Sequence, residues 1–344
     1  MAKLFIIGNG FDLFFDLPTR TTDFVNQLEQ IPFECFESAK EAYLNYGVDW
    51  SMFEEGLASI DLESIGEKIV EGPNYNSDHE YDRDSVIWKV EDYTANLLQV
   101  REEALIKMIQ MAEDKIKTLS TIFCLNFFDS TVDEIISFNY TSTIESLFYY
   151  SKPVFHIHGF YQNNDDLILG FGNESVEFYI FKSKLNSEMI LDQEKEINKI
   201  EQDKKLSIVE KEERIRDIKY YYEEGGWNDY YIDMQYESLV DFYIANKKEK
   251  QTNKLKDYLK NLKHIDEVVV LGQGMGDVDR EYFELVEEYI QPLKWTISAK
   301  DKEGIEKVKE WCKTYSFGNK IDVKPMDEIL GAKKNAIDEN GSRF

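Results

Sequence analysis

Four short stretches of this chain carry residue types and spacings that could do chemistry. Gly8-Asn9-Gly10, with Asp12 just beyond, ends the apolar run Leu4 to Ile7. Glycines there permit positive φ and close backbone approach, and the amino terminus of a following helix can hold a phosphate. A full dinucleotide fingerprint needs a third glycine, and position 13 is Leu, which weakens a standard dehydrogenase reading. The same residues also suit a tight strand-to-helix turn with Asp12 as a cap.

The second stretch is Ser137-Phe138-Asn139-Tyr140-Thr141-Ser142-Thr143. Asn139 lies where a strand should end, and Thr141, Ser142 or Thr143 could cap the next helix. Asn139 is either a polar contact for a ligand or the maker of the turn. The third is His156-Ile157-His158-Gly159. Strand alternation would put both histidines on one face. A metal would need a third ligand, and His79 and His264 are remote in sequence, so no metal is expected. A His before a Gly at a strand end is a good place for a general base, because the Gly leaves room for substrate. A buried structural role for one of the pair is the other reading. The fourth is Gly272-Gln273-Gly274-Met275-Gly276-Asp277 with Asp279, which suits a phosphate, a ribose or a simple turn.

Elements must hold these turns in place. Leu4 to Ile7, Glu134 to Phe138, Val154 to Ile157, Val268 to Leu271, Trp295 to Ser298 and Ile321 to Val323 read as strands, with Leu167 to Phe171 a further candidate. Thr19 to Gln30, Asp279 to Ile290 and Lys302 to Tyr315 read as helices. Glu34 to about Leu62 reads as helical with aromatic knobs from Phe36 to Phe53, and Glu71 to Asp84 as a loop. Leu98, Leu105, Ile109, Ala112, Ile116 and Leu119 mark a strong helix. Strand-helix alternation in the last third predicts an α/β fold with a Rossmann-like parallel sheet, an all-helical subdomain and a helical insertion. The expected division is 1–33 with 130–175 and 263–332 for the sheet, 34–129 for the helical subdomain, and 176–262 for a charged helical insert. That insert is either an oligomer or partner contact, or a solvated hairpin. The last dozen residues are polar and expected to fray.

Composition narrows the class. Hydrophobic residues make up 42% of 344, enough for a packed core. A net charge of -27 opposes steering toward nucleic acid and anionic membranes. The densest basic stretch, Lys247 to Lys263, is local. Cys35, Cys124 and Cys312 form no C-x-x-C pair, which fits a reducing cytoplasm. The first apolar run is too short for a signal peptide, and no stretch approaches the ~18 apolar residues of a membrane span.

In order, G-N-G-F-D-L, I-S-F-N-Y-T-S-T-I-E, H-I-H-G and L-G-Q-G-M-G-D-V-D resemble the bacteriophage abortive-infection proteins of the AbiH type. The glycine turn through Leu17-Pro18, the Phe138-Asn139-Tyr140 segment and His158-Gly159 are more distantly similar to sirtuin-like NAD-binding domains. That resemblance implies an NAD-cleaving defence effector, with Asn139 and His158 catalytic. It places Gly8, Asn9, Gly10, Asp12, Thr141, His156, Gly272, Gly274 and Asp279 around NAD or a related nucleotide as substrate. The chain lacks the four-cysteine zinc module of the sirtuin deacylases, which favours NAD hydrolysis over deacylation. The sirtuin D-F-R is also absent: Thr19-Arg20-Thr21 follows Pro18. The alternatives are a non-catalytic nucleotide sensor acting through a partner protein, and a nuclease-type toxin.

Overall fold

The computed structural model describes residues 1–31, 57–122, 124–172, 176–203, 206–223, 230–274 and 279–331. Two compact units divide the chain: residues 1–29, 103–172 and 248–344 in the first, and 30–102 with 173–247 in the second.

The first unit is built on a six-stranded parallel sheet. Its strands are β1 (Lys3–Ile7), β2 (Glu134–Ser137), β3 (Phe155–His156), β4 (Glu267–Leu271), β5 (Lys294–Ala299) and β6 (Ile321–Pro325), in the order β3-β2-β1-β4-β5-β6. The order turns back on itself at β1, the topological switch point of a doubly wound α/β sheet. Leu4 to Ile7 of β1 are buried on both faces, which is why they are apolar without alternation. Leu4 and Ile6 join one core with Ile136, Val268, Val270, Trp295 and Ile297. Phe5 and Ile7 join the opposite core with Ile135, Val269 and Leu271. Each fully buried side chain of this kind contributes about 1.5–3 kcal/mol.

Helices cover each face. α1 (Asn9–Phe14) places Phe11 in the Phe5 core, and α2 (Thr21–Leu28) follows it. Ala112 and Ile116 reach that core from the carboxyl-terminal half of a long helix, Glu80–Ser120. Ile144 and Leu147 reach it from a five-residue helix, Thr143–Leu147. The opposite core takes Leu255 and Leu259 of Thr252–Lys260, and Tyr282, Phe283, Leu285 and Val286 of Arg280–Ile290.

The second unit is helical. Leu62–Ile69, Val176–Gln202, Ile208–Glu223 and Tyr230–Ala245 are its further helices among the described residues. Gln235 is fully buried and holds residue 71 by both main-chain groups: its Oε1 accepts from Glu71 N at 3.0 Å and its Nε2 donates to Glu71 O at 2.9 Å. Numbered in chain order, these helices are α3 (Leu62–Ile69), α4 (Glu80–Ser120), α5 (Thr143–Leu147), α6 (Val176–Gln202), α7 (Ile208–Glu223), α8 (Tyr230–Ala245), α9 (Thr252–Lys260) and α10 (Arg280–Ile290), followed by α11 (Lys302–Cys312) and α12 (Met326–Leu330).

Some expectations differ from the structure. Leu167 to Phe171 is not a ladder strand. Its main chain makes isolated bonds only, Ile168 N to His158 O at 2.9 Å, Tyr140 Oη to Ile168 O at 2.7 Å and Lys248 N to Phe171 O at 2.8 Å, leaving β3 as the sheet edge. The loop from Glu71 ends at Glu80, where α4 starts. Residues 32–56, which hold the aromatic-rich stretch, lie outside the described residues, as do the final thirteen. No described helix is long and apolar enough to cross a membrane.

Candidate functional site

The turns singled out in the sequence gather at the carboxyl ends of β3, β2, β1 and β4, which are consecutive in the sheet. Asp12, on α1, is buried with 1% of its surface exposed. Thr141 Oγ1 donates to its Oδ2 at 2.7 Å, and Thr143 Oγ1 donates to its Oδ1 at 2.7 Å. Burial pushes this carboxyl from its ordinary 3.8 up to about 6, against the bonds from Thr141, Thr143 and Asn139 that favour the ion, while the nearby Glu113 charge raises it further. The two threonines serve this buried acid rather than capping α5. Ser142 is the N-cap of that helix, and its own side chain makes no cap bond. It donates instead to Glu113, a second buried carboxylate, through N to Oε1 and through Oγ to Oε2, both at 2.7 Å. Gln162 Nε2 also donates to Glu113 Oε2 at 2.7 Å.

The glycine turns pack on each other. Gly8 N donates to Leu271 O at 2.9 Å, and Gly10 N to Gly272 O at 2.7 Å. A Cβ on Gly8 would lie 1.9 Å from Gln273 Oε1 and 2.6 Å from Gln273 Cα. Gly272 has φ +69°, and a Cβ there would lie 2.0 Å from Phe11 N. The close approach these glycines permit is therefore between two protein loops. At Gly274 a side chain would meet open space. Asn9 is exposed and its Nδ2 donates to Thr19 O at 2.8 Å.

Asn139 is 7% exposed, and its Nδ2 donates to Gly8 O at 3.1 Å, joining the β2 turn to the β1 turn. Its carbonyl oxygen lies 2.9 Å from His156 Nδ1, and His156 Nε2 lies 2.9 Å from Glu145 Oε1. The His156 ring also stacks on Phe160 at 4.2 Å. Both ring nitrogens therefore face acceptors within the protein.

His158 goes the other way. Its ring meets Phe138 at 5.0 Å and Tyr282 at 6.0 Å, in the core beneath α10. The two histidines thus lie on opposite sides of the sheet, not on one face. The physical reason is the length of β3: its ladder ends at His156, and two-residue alternation does not extend into the turn at Ile157 and His158. His158 is 4% exposed, and its Nε2 is buried without a hydrogen-bond partner. Burial, with the Lys248 charge, holds its imidazole well below the ordinary 6.5, against a weaker opposite effect of its bond with the Phe138 main chain. It is therefore neutral at neutral pH.

Lys248 Nζ lies 3.5 Å from Asp279 Oδ1, with a side chain 4% exposed, and Gln273 Nε2 donates to Asp279 Oδ2 at 2.6 Å. The structure thus forms two linked clusters: Asp12, Asn139 and Thr141 on the α1 side, and His158, Lys248, Gln273 and Asp279 on the α10 side. Sequence reading missed Glu113, Glu145, Gln273 and Lys248 as site residues. Lys248 was visible only as one of a run of lysines, and Glu113 and Glu145 look like any exposed helix acids. Among the described residues no three His, Cys, Asp or Glu side chains converge on a metal position.

Neither the curated proteins nor the solved structures contain a match to this chain. A family model described as bacteriophage abortive infection AbiH matches residues 4–299. That span takes in β1 to β5 and every turn described above, so the chain belongs to the AbiH family and its role lies in anti-phage defence by abortive infection.

Proposed function

We propose that this protein acts in abortive infection by cleaving the nicotinamide-ribose bond of NAD. The single observation that carries this reading is the strand order. It sets the turns after β3, β2, β1 and β4 side by side at the sheet edge where doubly wound folds bind nucleotides, with Asn139 and His158 among them. In the proposed reaction the C–N bond breaks and its electron pair leaves with nicotinamide, which departs neutral. The ribose passes through an oxocarbenium-like state, as in glycoside hydrolysis. Water forms the new C–O bond, and its proton goes to the neutral His158 imidazole and then to solvent. The Asn139 amide orients a ribose hydroxyl or the attacking water. The products are nicotinamide, ADP-ribose and a proton.

Purified protein incubated with NAD and resolved by chromatography tests this. His158→Ala and Asn139→Ala are expected to lower nicotinamide release by about 100-fold or more while leaving nucleotide binding measurable. Undiminished release in both variants overturns the assignment of the residues. Absence of both NAD binding and NAD turnover in the purified protein overturns the NAD reading. One observation favours a second reading, a nucleotide sensor acting through a partner protein: the His158 Nε2 is sealed from solvent. For a sensor, Asn139→Ala leaves signalling intact and changes to the glycine turn abolish it.

A further inference from the structure

Along α4 the buried positions Val90, Thr94, Leu97 and Arg101 follow one another at steps of three or four, the spacing of a single helix face. An arginine thus stands where the pattern fits an apolar residue, and only 6% of it is exposed. Its Nη1 donates to Asn246 Oδ1 at 2.7 Å. Asn246 directly follows α8 and is fully buried. Its Nδ2 donates to Phe242 O at 2.8 Å, so the amide is held with its oxygen toward Arg101. The partner of the cation is therefore a dipole and not a charge. Arg101 Nε is buried with no hydrogen-bond partner, and among the described residues the guanidinium forms no ion pair. A buried donor without an acceptor is costly, and a buried charge without a counter-charge more so. The carboxyl end of α8 beside Asn246 favours a cation, but by less than a paired carboxylate would.

From this arrangement we infer that Arg101 and Asn246 form a binding site in the helical unit for an oxyanion, the phosphate or carboxylate group of a small molecule. A guanidinium does not lose its proton in a protein, so it cannot escape the cost of burial by becoming neutral. The bond from Nη1 to Asn246 fixes the plane of the fork. The Nε–Nη2 edge remains, and that edge matches two oxygens of a carboxylate or phosphate with parallel hydrogen bonds. An anion bound there supplies both the acceptor that Nε lacks and the missing negative charge. Entry needs only a local opening of the helical unit. Arg101 and Asn246 have no part in the proposed NAD chemistry, so the site stands or falls without it.

The test is thermal unfolding of the full chain in inorganic phosphate, in acetate and in chloride, at neutral pH and matched ionic strength. A ligand of the folded state raises the unfolding temperature with its concentration, which yields an apparent affinity. Salts also act on packing in general, so the readout is the rise in the wild type beyond the rise in Arg101→Met and Arg101→Gln. That excess is expected in phosphate, in acetate or in both, and the stronger anion names the group. Apparent affinity should fall about tenfold or more in each variant, the worth of a hydrogen bond to a charged group. In chloride neither variant should melt far below the wild type, because losing an unpaired buried charge offsets the lost packing. Two variants are used so that one which does not unfold cooperatively can be set aside. Equal rises in the wild type and a cooperatively folded variant overturn the site. A steep fall of both variants in chloride shows a purely structural arginine and overturns it as well.

Discussion

Replacing Asp12 by Asn should remove a defined part of the protein's response to pH. Burial holds the Asp12 carboxyl at about 6 in the folded chain, against 3.8 in the unfolded one. The folded state thus binds this proton more tightly, by about 3 kcal/mol at 1.36 kcal/mol per pH unit. The raised value means Asp12 favours folding fully below pH 3.8, and the contribution is lost as pH rises through 6. Between pH 7.5 and pH 5 the wild type should gain about 1.4 kcal/mol relative to Asp12→Asn, with the chain still above its isoelectric point near 4.6. His158 works in the opposite direction: with its proton affinity depressed, its contribution is present above 6.5 and falls away as pH drops. The wild-type curve alone therefore mixes two slopes, and only its difference from the variant isolates Asp12. Asn fits the site because the Thr141 and Thr143 hydroxyls lie 3.1 Å apart and can turn to accept an amide proton or to bond each other. Urea unfolding at five pH values in this range supplies the difference. A flat difference would refute a buried, half-titrating Asp12.

Three further outcomes follow from the same geometry. Glu113→Gln turns an amide donor toward Ser142 and Gln162; it should cost about 1–3 kcal/mol in urea unfolding and move the Asp12 transition to lower pH, since the Glu113 charge raises that carboxyl. Gly272→Ala places a methyl group 2.0 Å from Phe11 N at a left-handed position, and a loss of more than about 2 kcal/mol in the same assay is expected. His156→Leu breaks the links to Asn139 O and Glu145 and should lower stability by about 1–3 kcal/mol, whereas His156→Gln, which keeps a donor, should lose less; equal losses would show that the ring acts through packing on Phe160 alone.

How much was legible beforehand follows from the range of each interaction. The apolar runs at Leu4, Glu134, Val268 and Trp295, and the strand-helix alternation after Val268, fall where the structure has β1, β2, β4, β5, α10 and α11. These features depend on residues a few positions apart, and hydrophobic periodicity reports such neighbours directly. The turns with Gly8, Asn139, His158 and Gly272 were readable for the same reason, since each ends or closely follows a short strand.

Other features depended on partners distant in the chain. Thr141 and Asp12 are 129 residues apart, and nothing in either segment announces that the threonine bonds the acid instead of capping a helix. The opposite placement of His156 and His158 turns on where the β3 ladder stops, which pairing with β2 decides. Lys248 stands in a run of lysines, and only the packing of its segment against Phe171 O and Asp279 makes it the buried one. The sequence by itself determined which segments form the sheet and where its turns carry polar residues, because burial patterns are local. Tertiary structure decided the strand order, the protonation of Asp12 and His158, and the packing of Gln273 against Gly8. Each of those depends on desolvation and on charges brought together across the fold.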